Sequence, residues 1–128
     1  MRQAGRYLPE YRELRKEYSV LEIAKTPEIC EQVTLMPVRK LGVDAAIIFS
    51  DIMLPLEGAG VNFKIEETLG PVVSNPIQKL EDVLVLRKFD VKDHTPFVLE
   101  AIRRTKLKLR DTSSALIGFS GGPFTIAS

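Results

Sequence analysis

Residues 43–49 read V-D-A-A-I-I-F, a short and mostly apolar run without the alternation of a strand that keeps one wet face. Such a run fits a strand covered on both faces, as in a parallel sheet flanked by helices. It follows a stretch of helical spacing and stops at Ser50 and Asp51. The same order returns later. A helical stretch at 94–110 precedes a second apolar run, A-L-I-G-F at 115–119, which stops at S-G-G-P. Helix, strand and loop, twice over, predict an α/β fold with parallel strands, both of them buried.

The first of these helices is well delimited. Thr26 is a suitable N-cap, Pro27 suits the first helical position, and Gly42 suits the end. Ile29, Val33, Met36 and Leu41 follow the helical repeat. Pro37 lies inside it, removes the bond to the Val33 carbonyl, and predicts a kink. In the second, Pro96 stands near the start and Val98, Ile102, Thr105 and Leu109 share a face. Residues 10–18 can form a helix behind a loop at 1–9. Between the two units, 61–65 and 72–73 suit a small hairpin and 80–86 a short helix.

The chain has 128 residues, enough for one domain with a real core. Lys plus Arg is 18 against 17 for Asp plus Glu, a net charge of +1. So even a balance gives no global field for nucleic acid or a membrane surface. No stretch approaches the ~18 uncharged apolar residues that cross a bilayer. Behind Met1, Arg2 and Gln3 there is no apolar core of a secretory signal. One cysteine cannot form an internal disulfide, and one histidine excludes any site needing two. The expected setting is reducing and cytoplasmic.

Several residues invite a chemical reading. Asp51 directly follows a buried strand, where parallel α/β folds bind ligands. On position alone it is either a catalytic carboxylate or a turn cap. Arg2 and Arg6 flank the small residues Ala4 and Gly5, and two guanidinium groups suit a ligand with several carboxylates or phosphates. A solvated basic surface is the plainer reading of the same residues. Residues 118–122, G-F-S-G-G, match the nucleophile elbow of serine hydrolases. The only histidine, His94, precedes that serine, so a glycine-rich turn beside a ligand is favoured. His94 reads as a surface or capping residue and Cys30 as a small buried group. Tyr7 and Tyr11 either wall a pocket or pack the loop onto the body, and packing is the plainer choice.

Three stretches carry a family resemblance. Residues 1–12, M-R-Q-A-G-R-Y-L-P-E-Y-R, closely resemble the signature of the uroporphyrinogen decarboxylase family. Residues 42–53, G-V-D-A-A-I-I-F-S-D-I-M, resemble its second barrel strand with the catalytic aspartate. Residues 118–125, G-F-S-G-G-P-F-T, resemble the glycine-rich end of its third strand. E-G-A-G-V-N-F and G-P-V-V-S-N-P-I between them are similar as well. Gly122 and Phe124 depart mildly from the family pattern, which often has alanine or serine at the first and tryptophan at the second.

The resemblance implies a TIM (β/α)₈ barrel, which typically needs ~250 residues. Residues 1–128 would then be a single fragment of that domain, roughly the first three strands and their helices. A substrate-contacting tyrosine, a serine and a C-terminal histidine of the family would lie beyond it. The implied activity is decarboxylation of the acetate side chains of uroporphyrinogen III to the methyl groups of coproporphyrinogen III, in haem biosynthesis. It uses neither metal nor organic cofactor. Asp51 and Arg2 are the implied catalytic residues. Arg2, Gln3, Ala4, Gly5, Arg6, Arg15, Ile47, Asp51 and Phe119 are the implied substrate contacts. The whole protein is expected to be a homodimer, without nucleic-acid or membrane partners. The alternatives are a tetrapyrrole-binding or inactive truncated fragment, and a cobamide-dependent methyltransferase of the same superfamily. The arginine signature in residues 1–12 favours the decarboxylase.

Overall fold

The computed structural model describes residues 7–66 and 68–127. Helix α1 (Pro9–Glu17) starts one residue earlier than the periodicity predicts, because Pro9 occupies its first turn. Helix α2 (Val20–Lys25) has no counterpart in the reading of the hydrophobic pattern. Its signal is a capping box: Ser19 Oγ accepts from the Glu22 N–H, and the Glu22 carboxylate accepts from the Ser19 N–H.

Helix α3 (Pro27–Leu41) matches the predicted span. Its N-terminus differs in detail, since the Thr26 side chain makes no capping bond. Thr26 serves two helices through its backbone: its N–H closes α2 on the Glu22 carbonyl, and its carbonyl accepts the first bond of α3 from Cys30. The helix runs unbroken through the buried Pro37. At its end Gly42 takes a left-handed conformation, φ 62° and ψ 37°, and its N–H reaches the Val38 carbonyl. A side chain at that φ would be strained.

Strand β1 (Ala45–Ile47) follows. The connection onward holds α4 (Leu56–Ala59), the antiparallel hairpin of β2 (Phe63–Glu66) and β3 (Gly70–Val73), α5 (Leu80–Leu84) and α6 (Val91–His94). Helix α7 (Pro96–Leu109) leads to β4 (Ala115–Ile117), and α8 (Pro123–Ala127) comes last. The predicted helix from His94 is two helices. Pro96 has no N–H and disfavours helical backbone at Thr95, whose φ −126° and ψ 41° separate α6 from α7.

Strands β1 and β4 pair in parallel, with Ala45 beside Ala115, Ala46 beside Leu116 and Ile47 beside Ile117. The crossover between them contains α7, which makes a βαβ unit. Alternation along the strands sorts their side chains. Ala46, Ile48 and Leu116 face α3 and α7, where they meet Cys30, Leu35, Ala101 and Leu109. Ala45, Ile47 and Ile117 face the other way. This corrects the expectation of two fully buried strands. Ile117 is 46% and Phe119 48% exposed. Among the described residues β4 has β1 as its one strand partner.

The two long helices α3 and α7 pack side by side over this pair. Across their contact Arg104 of α7 pairs with two carboxylates of α3. The Arg104 guanidinium donates to Glu31 at 3.0 Å through Nε and lies 2.9 Å from Glu28 through Nη1. Glu31 is nearly buried. A second pair, Lys25 with Glu57 at 2.7 Å, ties α2 to α4. No helix among the described residues is long and apolar enough to cross a membrane.

Two expectations about stability follow from this packing. Arg104→Met keeps the apolar stem and strands the Glu31 carboxylate. It should cost about 2 kcal/mol by urea unfolding. Adding Glu31→Gln should restore part of the loss, and an unchanged midpoint in the single variant would show the pair to be idle. The second concerns Cys30, whose thiol is pushed up to about 11 from 9.0, chiefly by burial. Below pH 9 both folded and unfolded chains keep the proton. Between 9 and 11 the unfolded chain alone gives it up, so stability falls as pH rises. The loss should reach about 2 kcal/mol by pH 11. That share of the pH slope should vanish in Cys30→Ala.

Candidate active site

The carboxyl ends of the two parallel strands lie side by side, and the loops that leave them touch. A methyl group built on Gly121, after β4, would sit 2.4 Å from the Ile126 side chain and 3.4 Å from that of Ile52, next to Asp51. The glycine therefore makes room for the Ile126 side chain of its own loop, with Ile52 of the neighbouring loop at van der Waals distance. Ser120 is exposed, and His94 is an exposed residue at the end of α6, its ring set edge-on against Phe89.

Asp51 is half-buried four residues past the last residue of β1. Its Oδ1 accepts the Met53 N–H at 2.8 Å, and its carbonyl accepts the Leu54 N–H at 3.3 Å. This is the turn-capping role, and it engages one carboxylate oxygen. An ionised carboxylate has further acceptor positions, so the capping role leaves room for a ligand.

The backbone before Asp51 is held from an unexpected side. The last bond of the β1–β4 ladder runs from the Ile48 N–H to the Ile117 carbonyl at 3.0 Å. The Phe49 N–H then donates to Thr34 Oγ1 at 2.9 Å, and the Phe49 carbonyl accepts from Cys30 Sγ at 2.9 Å. Both side chains come from α3, and both are about 1% exposed. The Phe49 ring touches three of the core clusters and packs against Tyr11 with ring centres 6.0 Å apart. Tyr11 is thus a packing residue, whereas Tyr7 is exposed. Sequence reading missed Thr34 altogether and saw Cys30 as filler. A hydroxyl midway along a helix that contacts a strand end was the available signal.

Ile47 lies on the face of β1 turned away from α3 and α7, beside Ile117. Phe119 continues the same alternation two residues beyond β4 and is half exposed. Asp51, Ile47 and Phe119 thus all lie at or just beyond the carboxyl ends of the parallel pair. Arg15 stands in the last turn of α1, where its guanidinium donates to the Tyr18 carbonyl. Arg2, Gln3, Ala4, Gly5 and Arg6 lie outside the described residues. An open groove between α7 and β4 is lined by Ile102, Lys106, Leu107, Arg110 and Leu116 and includes none of the expected site residues.

Comparison with known proteins bears on this geometry. The family model described as uroporphyrinogen decarboxylase (URO-D) matches residues 1–128. The uroporphyrinogen decarboxylase of Carboxydothermus hydrogenoformans is 54% identical over 128 residues, which is all of this chain and 36% of the relative. That of Thermus thermophilus is 51% identical over the same 128 residues, 37% of its length. The chain thus spans little more than a third of these relatives. Among solved structures, a methyltransferase from Methanosarcina mazei superposes with a TM-score of 0.66 at 20% identity, over 82% of this chain and 32% of the other. That likeness concerns the fold alone. The match along every residue of the sequence, at half identity or better, places the chain in the uroporphyrinogen decarboxylase family.

Proposed function

We propose that residues 1–128 are the N-terminal third of a uroporphyrinogen decarboxylase (β/α)₈ barrel, and that Asp51 is the carboxylate around which the tetrapyrrole is held. The observation that carries this reading is the position of Asp51. It stands past the carboxyl end of a parallel strand, next to Ile52, which lies against the glycine-rich loop that leaves the neighbouring strand. That is where a (β/α)₈ barrel binds its substrate. The relatives at 51–54% identity bear the name of this activity, which supports it further. The methyltransferase likeness, at 20% identity, gives no comparable support to a methyltransferase reading.

The chemistry asked of these residues is specific. Loss of carbon dioxide from an acetate side chain leaves an electron pair behind. Protonation of the pyrrole ring gives that pair somewhere to go, and the ring becomes cationic before the C–C bond breaks. Afterwards a proton from solvent or a side chain completes the methyl group, and the ring gives up the proton it took, which restores the neutral pyrrole with a net uptake of one proton. An ionised Asp51 accepts the inward-pointing pyrrole N–H groups and sets a fixed negative charge beside the developing cation. That charge is worth more in the transition state than in the ground state. Arg2 and Arg6 bind rim carboxylates, and Arg15 reaches a peripheral propionate. Arg2 orients the reacting acetate or a water, since an arginine stays charged and is a poor proton donor. Ile47 and Phe119 wall the macrocycle, and Gln3, Ala4 and Gly5 let its rim approach the backbone. This chemistry asks for no metal or organic cofactor. A cytoplasmic homodimer acting on uroporphyrinogen III, apart from nucleic acid and membrane, completes the reading.

The test is anaerobic turnover of uroporphyrinogen III by the whole polypeptide that carries these residues, with products separated by carboxylate number. Coproporphyrinogen III should accumulate. Asp51→Asn keeps the shape and removes the charge, and should lower kcat/KM by about 10²- to 10³-fold. Near-normal turnover by that variant would overturn the role given to Asp51.

A further inference from the structure

We infer that Thr34 and Cys30 of α3 are positioning residues for Asp51, acting through the Phe49 peptide that both of them bond. The inference rests on the role proposed for Asp51 and extends it to two residues remote from the strand in sequence.

The β1 backbone changes partners within two residues. Up to Ile48 it is bonded to β4. At Phe49 both backbone polar atoms pass to α3: the N–H to Thr34 Oγ1 at 2.9 Å, and the carbonyl to Cys30 Sγ at 2.9 Å. Thr34 and Cys30 are one helical turn apart, so they present their polar atoms on one face. The Thr34 hydroxyl is also a hydrogen-bond neighbour of the Cys30 thiol. The Phe49 residue is thereby clamped on both sides of its Cα. Two other threonines bond back one turn along their own segment. Thr105 Oγ1 donates back to the Ala101 carbonyl, and Thr95 Oγ1 to that of Val91. The Thr34 oxygen instead engages a different element.

Only Ser50 separates this clamp from Asp51. Beyond Asp51 the turn is closed by the Met53 and Leu54 N–H groups. The carboxylate therefore sits in a short span fixed at both ends, and one of those ends is α3. A buried N–H left without an acceptor would seek another partner and move the peptide. A shift of that kind, two residues upstream, displaces the carboxylate from the atoms that it must meet, and catalysis is steep in such displacements.

The experiment compares Thr34→Val, of equal shape but without the oxygen, with Thr34→Ser, which keeps it. Both are made in the whole polypeptide, alone and on Asp51→Asn. The readouts are kcat and KM for uroporphyrinogen III, and Tm. Thr34→Val should lower kcat about tenfold with little change in KM, while Thr34→Ser stays within about twofold of the parent. Both should lower Tm, so that activity follows the oxygen and not the stability. On Asp51→Asn, Thr34→Val should cost nothing more in kcat, since the group that it positions is gone.

Should Thr34→Val fail to fold, Cys30→Ala and Cys30→Ser make the same comparison at the carbonyl, with loss in the first and recovery in the second. Parental kcat in Thr34→Val would overturn the inference. So would a tenfold loss that persists in full on Asp51→Asn. Equal turnover by the parent and Asp51→Asn would instead remove the role of Asp51 itself, however the Thr34 variants behave.

Discussion

Helix α3 is covered on three sides, by α2, by α7 and by β1. Val33, Thr34, Leu35, Met36 and Pro37 are buried in succession, five residues that together pass once around the helix. A helix buried nearly all round must find apolar partners in every direction. Val33 and Met36 meet Leu8, Tyr11 and Ile23, whereas Leu35 meets Ala46 and Leu109. The positions of α1, α7 and the strand pair are set by these contacts. The Arg104–Glu31 pair then fixes how α7 lies against α3, because a nearly buried carboxylate accepts few substitutes for its guanidinium.

The same helix explains how a strand becomes a site. A parallel strand must stop being a strand before its carboxyl end can present a side chain to a ligand. In this protein the change is made by transferring the Phe49 backbone from β4 to the polar atoms of α3. The Phe49 ring meanwhile enters the core between Tyr11, Cys30 and Leu54, in contact with three clusters. The geometry of the proposed site and the packing of the core therefore share one residue. A fault in either would be felt in both.

Much of the scaffold was legible in advance. Pro27 and Gly42 bracket α3 for local reasons: a fixed φ at one end and a left-handed φ at the other. The hairpin and the α7 face needed only spacing and turn residues. Helix α2 was missed because it is six residues long, too short for a period to show, although its Ser19–Glu22 box is plain in the sequence. The break between α6 and α7 was missed because Pro96 was read as a helix start without its effect on Thr95. Among the described residues one face of β4 is covered by α3 and α7 and the other is open, since an apolar run reports what a strand tolerates on its faces and not which neighbours stand there.

For the site the division is sharper. Asp51 could be singled out because a carboxylate after an apolar run is a local pattern, and the motif in residues 1–12 pointed to the same family by itself. The sequence alone therefore determined α1, α3, α5, α7, the two parallel strand runs, the hairpin and the candidate carboxylate, all of which depend on residues within a turn or two of each other. The tertiary structure alone decided that Gly121 meets Ile52, that Ile47 and Ile117 share one face, and that Thr34 and Cys30 hold the peptide before Asp51. Those contacts join residues fifteen or more positions apart. No local propensity encodes them, because they follow from where the packing of α3 brings β1, β4 and their loops.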